Sequence, residues 1–215
     1  MTDWATISSL ATAGGTLVLA LATFASVRSA NRAARTAERS LLEGLRPLLV
    51  PSRLQDPPEK ISFVDQHWVH VAGGHAAVEV TDEVIYLAAA LRNAGRGMAV
   101  LHGWFAMRGA GTAAGSDHVP PDEFRRLTRD LYIAPGDHGF WQGALRDPAE
   151  PIFAGLRDSV QAAEPITIEL LYGDQVGGQR AITRFVLLPH DDPDGQRSWL
   201  ATVSRQWHLD RAAPR

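Results

Sequence analysis

Three histidines close together form the clearest cluster of side chains that could bind a metal ion. His67, His70 and His75 lie on one short stretch, and Asp65 precedes them. Imidazole and carboxylate groups are common zinc ligands. Side chains alternate between the two faces of a strand, so positions 67 and 70 of a predicted strand point to opposite faces. We therefore predict no metal site in this chain, and no motif predicts a cofactor.

The sequence carries no motif for a catalytic nucleophile. Ser159, Ser198 and Ser204 lack the flanking glycines of a Gly-x-Ser-x-Gly turn. The glycine-rich segment 93–97 lies between two predicted strands, whereas a phosphate-binding loop leads into a helix. We interpret this segment as a tight turn with positive φ angles, and the chain as a non-enzymatic protein. An enzyme with an unrecognised site is one alternative.

Tryptophans at predicted strand positions are candidates either for the core or for a binding surface. The five positions are Trp68, Trp104, Trp141, Trp199 and Trp207. Aromatic side chains in strands usually fill the core. If two or more were exposed on one sheet face, they would suit a peptide, a glycan or a protein. The candidate binding face consists of Trp104, Trp141, Tyr172 and Arg184.

The N-terminal segment 4–27 carries no charged side chain. As a helix rising about 1.5 Å per residue it spans about 36 Å, more than a hydrocarbon core of about 30 Å. We predict a transmembrane anchor over residues 1–27, with Trp4 at the interface. Ala11 and Gly15 have the spacing that lets two membrane helices pack closely. A cleaved signal peptide would need a basic N-terminal region, which this sequence lacks; a buried core helix is the other alternative.

The next segment, 28–46, is predicted to continue the helix as a basic juxtamembrane stretch. At 100° per residue, Arg28, Arg32, Arg35 and Arg39 fall within an arc of about 60°. This basic stripe could contact anionic lipid headgroups. An apolar stripe on the opposite side could instead pair two copies of the helix, and a solvated spacer is the plainer interpretation.

The distribution of charge predicts which side of the membrane the rest of the chain occupies. Arginines follow the anchor and none precedes it, so the positive-inside rule predicts a single-pass protein with its soluble domain in the cytoplasm. The first 46 residues hold five basic and three acidic side chains of the chain's 21 and 24, which leaves a net charge of about −5 on residues 47–215. Nucleic acid is therefore not an expected partner, because phosphate attraction dominates such binding.

The chain contains no cysteine.

Short apolar runs separated by Gly and Pro predict a mainly β domain over residues 47–215. Predicted strands lie at 48–50, 61–64, 67–71, 76–80, 84–92, 98–107, 131–133, 139–145, 166–172, 181–188 and 199–209. We expect hairpins joining 67–71 to 76–80, 84–92 to 98–107, and 166–172 to 181–188.

The number of strands favours an Ig-like antiparallel β-sandwich. One short helix is predicted within it, near 148–163. Asp147 would be its N-cap, Pro148 its first residue and Glu150 the partner in a capping box. A helical turn is also predicted at 122–127.

Four segments together resemble a known group of proteins: LRNAGRGMAVLHGW (91–104), DLYIAPGDHGFWQGALRDP (130–148), LLYGDQVGGQRAITRF (170–185) and RQWHLDRAAPR (205–215). With the short N-terminal span, they resemble uncharacterised single-span membrane proteins of actinobacteria. The resemblance implies a membrane-anchored β domain. It implies no activity, cofactor or catalytic residue.

These features together predict a membrane-anchored, non-enzymatic binding or scaffolding protein with a cytoplasmic β-sandwich. Its expected contacts are membrane lipid and either a protein partner or a second copy joined through the N-terminal helix. A different class of function is an extracytoplasmic domain that binds envelope glycans or peptides through exposed tryptophans. That alternative requires the charge rule to fail.

Overall fold

The computed structural model describes residues 3–110, 117–191 and 197–211, apart from the side chains of residues 5, 6 and 39. The chain divides into a helical unit that ends at Gly44 and a β domain that begins at Leu45.

One α-helix, α1, runs without interruption from Trp4 to Gly44. It includes both the predicted anchor and the predicted juxtamembrane stretch. Every described side chain of α1 is exposed, including those of Leu17, Leu19 and Phe24.

The β domain contains eleven strands among its described residues. They are β1 Leu49–Pro51, β2 Glu59–Ser62, β3 Trp68–Val71, β4 His75–Val80, β5 Ile85–Asn93, β6 Ala99–Arg108, β7 Arg125–Ile133, β8 His138–Leu145, β9 Ile166–Gly173, β10 Arg180–Asp191 and β11 Arg197–His208. A short 3-10 turn, Pro121–Glu123, precedes β7, and helix α2, Pro151–Gln161, follows β8.

Nine of the strands form one antiparallel sheet that curls around the main core. Its order is β1-β5-β4-β11-β10-β9-β6-β7, and β8 also pairs with β5. Strand β5 therefore has β8 along one edge, with β4 and then β1 along the other. The remaining strands, β2 and β3, form a separate hairpin. The enclosed face of the sheet and helix α2 share one apolar core that includes Leu87, Phe153 and Phe185.

Two smaller apolar clusters lie on other faces of the β domain. The β2–β3 hairpin contributes Ile61 and Val69 to a cluster with Tyr86 and Ala88 of β5. A second cluster contains Phe124, Leu171, Ile182 and Trp207. Apolar side chains thus also pack against parts of the sheet outside its enclosed face.

The mainly β prediction, with one long N-terminal helix and one short internal helix, is confirmed. An Ig-like sandwich is not confirmed, because nine strands form a single curled sheet. The predicted hairpin between 166–172 and 181–188 is present as β9–β10. The other two predicted hairpins are wrong: β3 pairs with β2 and β4 with β5, while β6 pairs with β7 and β9.

Two local predictions also need correction. Helix α2 begins at Pro151 with Glu150 as its N-cap residue, because Asp147 instead accepts a hydrogen bond from the Ala149 N–H in a preceding turn. The segment predicted as a helical turn at 122–127 is a 3-10 turn only to Glu123, and β7 starts at Arg125.

Candidate functional site

The four residues predicted as a binding face are all buried. Trp104, Trp141, Tyr172 and Arg184 are each between 0 and 4% exposed. The two indole rings meet edge to face, with ring centroids 5.5 Å apart. The expectation of an exposed face is corrected by this burial, since the rings fill the core. Trp199 and Trp207 are buried as well, whereas Trp68 is 52% exposed beside Lys60.

Tyr172 has a structural role at the centre of the domain. Its hydroxyl accepts hydrogen bonds from the backbone N–H of Leu49 at 3.3 Å and from Gln206 Nε2 at 3.2 Å, and it lies 2.9 Å from Thr183 Oγ1. Burial raises the pKa of the Tyr172 phenol, and these hydrogen bonds oppose the shift. The phenol therefore stays neutral and joins β1, β9, β10 and β11.

Arg184 forms a buried ion pair with Glu169 on the neighbouring strand. Its Nε donates to Glu169 Oε1 at 2.7 Å, and both side chains are at most 3% exposed. The second oxygen of Glu169 accepts from the Val119 N–H at 2.9 Å, while Arg184 donates to the carbonyl oxygen of Asp117 at 2.7 Å. The pair thus fixes residues 117–119 against β9 and β10.

The histidine cluster does not come together as a metal site. The ring of His67 stacks on Tyr86, with centroids 4.0 Å apart, and its Nε2 lies 2.7 Å from Glu79 Oε2. His75 Nδ1 lies 2.7 Å from the carbonyl oxygen of Gly73. No group of three His, Asp or Glu side chains within the described ranges could hold a metal ion.

A cleft between β7 and β8 was not expected from the sequence. Its volume is about 390 Å³, and residues 125–129 and 131 of β7, residues 142–144 of β8, and Trp104 line it. These strands follow each other in the chain, yet β7 pairs with β6 and β8 pairs with β5. The two strands are therefore consecutive without being paired, and the cleft lies between them.

Arginines dominate the charge around this cleft. The lining includes Arg125, Arg126, Arg129 and Arg146, against Asp147 and Glu150. Arg125 is paired with Glu150 and lies over the Trp104 ring. Burial lowers the pKa of the Arg125 guanidinium, which still leaves it charged at neutral pH.

The other arginines of the cleft differ in how far their charge is neutralised. Arg146 donates to Asp65 Oδ2 at 2.9 Å, and the two form an ion pair. Arg129 donates to the uncharged amide oxygen of Gln142 at 2.8 Å. Arg126 is exposed. A sequence signal for the cleft existed in the three closely spaced arginines at 125, 126 and 129, but the predicted helical turn obscured it.

The chain matches no protein-family model and no curated protein. Among the described residues, one helix is long and apolar enough to cross a membrane: the span Ile7–Gly44 within α1. A signal sequence would pass the same test of length and composition. Of the four arginines predicted to meet lipid, Arg28, Arg32 and Arg35 are exposed, and the side chain of Arg39 lies outside the described residues.

Proposed function

We propose that this chain is a membrane-anchored, non-enzymatic binding protein, and that α1 holds its β domain at the cytoplasmic face of a membrane. One observation carries the proposal. Every described side chain in the apolar stretch 4–27 of α1 is exposed, and arginines on one face of the same helix follow it directly.

Exposure of this stretch to water would be unfavourable. Large apolar side chains that are exposed along it are Leu10, Leu17, Val18, Leu19, Leu21 and Phe24. Burying one such side chain is worth about 1.5–3 kcal/mol, so a lipid environment stabilises the helix substantially. The stretch is also long enough to cross the hydrocarbon core.

The threonines of this stretch are compatible with lipid. Thr12, Thr16 and Thr23 each donate their hydroxyl to the carbonyl oxygen four residues earlier, at 2.8–2.9 Å. An unsatisfied polar group in hydrocarbon costs several kcal/mol. These bonds therefore lower the free energy of placing the threonine hydroxyls in lipid. This matters because the stretch is rich in Ala, Ser, Thr and Gly and is only marginally apolar.

The proposed orientation rests on the arginines at the C-terminal end of the apolar stretch. Arg28, Arg32 and Arg35 are exposed on one face of α1, where each would gain about 1 kcal/mol beside anionic headgroups of the cytoplasmic leaflet. The N-terminal flank has no basic side chain to oppose this. Self-association of α1 through Ala11 and Gly15 is a further element of the proposal; a Cβ at Gly15 would meet no atom within 4 Å.

The absence of cysteine from the chain allows a direct test of anchoring and orientation. Asp3→Cys and Val176→Cys each place one thiol on an exposed residue, the first before the apolar stretch and the second at the β9–β10 turn. Full-length protein should stay in the membrane pellet after an alkaline carbonate wash. An impermeant maleimide should label Asp3→Cys in intact cells and Val176→Cys only after lysis.

The opposite labelling pattern would place the β domain outside the cytoplasm and contradict the proposed orientation. Recovery of uncleaved full-length chain in the soluble fraction would contradict the anchor itself. A product shortened by cleavage after α1's apolar stretch would identify a signal peptide instead, which immunoblotting with a C-terminal tag distinguishes.

A further inference from the structure

The β7 and β8 strands leave two sheet edges open in one place. Only residues 134–137 connect them, a length that normally makes a hairpin. In the described part of the chain, no backbone hydrogen bond joins β7 to β8. Each strand therefore pairs along one edge only, and the other edge of each borders the cleft.

The lining pattern shows that the cleft meets these strands at their edges. Five consecutive residues of β7, 125–129, and three consecutive residues of β8, 142–144, line it. Side chains of consecutive residues point to opposite faces of a strand. Lining by three consecutive residues of β8, which pairs regularly with β5, means that the edge of β8, with its N–H and C=O groups, is presented to the cleft. β7 is irregular beside the cleft, because Leu131 pairs with Leu101 and Arg126 pairs with Gly103, which leaves residues 127–130 without a partner on β6. β8 is regular and eight residues long, which suits a peptide of similar length.

The floor of the cleft brings a backbone close to aromatic rings. A Cβ at Gly143 would lie 2.7 Å from the Trp104 ring and 2.9 Å from the Trp141 ring. The missing side chain at this position keeps β8 and Trp104 in close contact. The Trp104 ring and the Gly143 backbone therefore form a closely packed floor of the cleft.

The charge of the cleft is opposite to that of the domain around it. The lining carries four arginines and two acidic side chains, whereas residues 47–215 have a net charge of about −5. In the described structure, neither Arg126 nor Arg129 forms an ion pair. Two positive charges are thus available to a ligand, and complementarity favours an acidic one.

We propose that this cleft binds an acidic peptide segment in an extended conformation, which adds to the open edge of β8 as a further antiparallel or parallel strand. The main chain of the peptide pairs with the open edge, and its carboxylates meet Arg126 and Arg129. This proposal rests on the proposed binding function and names its partner class. A lipid headgroup would use the arginines but leave both sheet edges unpaired, so a peptide accounts for more of the geometry.

The test uses the full chain in detergent micelles and a phage library of random octapeptides. Selection should enrich acidic residues alternating with β-branched or aromatic ones. In calorimetric titrations with the best selected peptide, Arg126→Glu and Arg129→Glu should each weaken binding by about tenfold or more, because each replaces attraction with repulsion. Arg53→Glu, the same charge change at an exposed position outside the cleft, should alter the affinity less than about twofold.

Hydrogen exchange distinguishes strand addition from charge attraction alone. Bound peptide should slow amide exchange in residues 138–145 of β8 and leave the already paired residues 85–91 of β5 unchanged. A proline at the centre of the peptide should weaken binding by about tenfold, because it removes a donor from the added strand.

Three results would overturn the proposal. The first is selection of basic peptides, of uncharged peptides or of none. The second is peptide binding that does not slow amide exchange in residues 138–145. The third is an effect of Arg126→Glu and Arg129→Glu that is seen only on binding to phosphatidylserine vesicles or only on the oligomeric state. If any of these results occurs while the cysteine labelling is as expected, the peptide site is refuted and the proposed membrane orientation stands. Reversed labelling refutes the membrane placement alone, because the peptide titration is made in micelles.

Discussion

Arg46 and Asp210 lie 164 residues apart and form a bidentate ion pair that joins the two ends of the β domain. Arg46 Nη1 donates to Asp210 Oδ1 at 2.8 Å, and Nη2 donates to Oδ2 at 2.6 Å. Both side chains are largely covered. Planar guanidinium and carboxylate groups match well in this geometry, which is stronger than a single contact. The pair therefore fixes the start of the domain against the segment that follows β11.

This pair predicts an acid-sensitive contribution to stability. The hydrogen bond from Arg46 is the main cause that lowers the Asp210 pKa to about 2, below its value in an unfolded chain. A lowered pKa stabilises the folded state above about pH 4, and that stability is lost as the pH falls toward 2. Asp210→Asn should lower the free energy of unfolding by about 1–2 kcal/mol at pH 7 and by progressively less below pH 4.

Urea unfolding of the full chain in detergent, followed by tryptophan fluorescence, measures this difference. Asp191→Asn is the matched control, because the Asp191–Arg197 pair is well exposed; it should cost less than about 0.5 kcal/mol. An Asp210→Asn effect that is the same at pH 7 and pH 3 would refute the ion-pair explanation.

Most strands of the domain could be predicted from the sequence because each is a short apolar run between turn residues. The run 84–92 corresponds to β5 and 98–107 to β6, each within one residue. Strand pairing could not be predicted in the same way. β5 pairs with β1 and β8 as well as with the adjacent β4, and β6 pairs with β9 as well as with the following β7, so strands that are not consecutive share in deciding the topology.

The candidate binding residues illustrate the same limit. Aromatic residues at strand positions favoured the core but left a binding surface open, and the structure places Trp104 and Trp141 in the core. The β7–β8 cleft was missed because it depends on two consecutive strands that do not pair. No local pattern in 125–145 specifies that divergence.

Substitution of Gly97 is predicted to destabilise the β domain, for a different reason from the positive φ angle expected from the sequence. The segment 93–97 was expected to need glycine for positive φ, but the described positive-φ glycines lie elsewhere, at Gly74, Gly109, Gly136 and Gly177. A Cβ at Gly97 would instead lie 1.7 Å from the carbonyl oxygen of Leu45. Since main chain must move to relieve this contact, Gly97→Ala should destabilise the domain by about 3 kcal/mol or more.

Gly178→Ala is the control for this substitution. The nearest atom to its added Cβ would be Asp174 Oδ2, 4.0 Å away. Thermal unfolding should show a change within about 0.5 kcal/mol for this variant. Equal effects of the two alanines would mean that close backbone approach does not explain Gly97.

Tyr172 predicts a cost for removing one buried oxygen. Tyr172→Phe keeps the ring but leaves the Leu49 N–H without its tyrosine acceptor and also removes the acceptor of Gln206. A buried donor left unsatisfied costs about 1–3 kcal/mol, so unfolding should be easier by about that amount. Tyr132→Phe removes an exposed hydroxyl on β7 and should change stability by less than about 0.5 kcal/mol. Comparable losses from the two variants would exclude the buried hydrogen bonds as the cause.

The Glu169–Arg184 pair predicts the largest single loss among the charged residues. Glu169→Gln leaves the Arg184 guanidinium buried beside Trp207 without an opposite charge, and leaving a buried charge unpaired costs about 3–5 kcal/mol. Exposed Glu164 pairs with Arg108 at 3.2 Å, so Glu164→Gln should cost about 0–1 kcal/mol.

The double variant Glu169→Gln with Arg184→Met separates the two components of that loss. It removes both charges, so it should recover much of the stability lost by Glu169→Gln alone. Segment 117–119 should still exchange its amide hydrogens faster than in the wild type, because the contacts to Val119 and Asp117 depend on these side chains. If the double variant were as unstable as the sum of both single variants, the cost would arise from lost packing, and unpaired charge would not explain it.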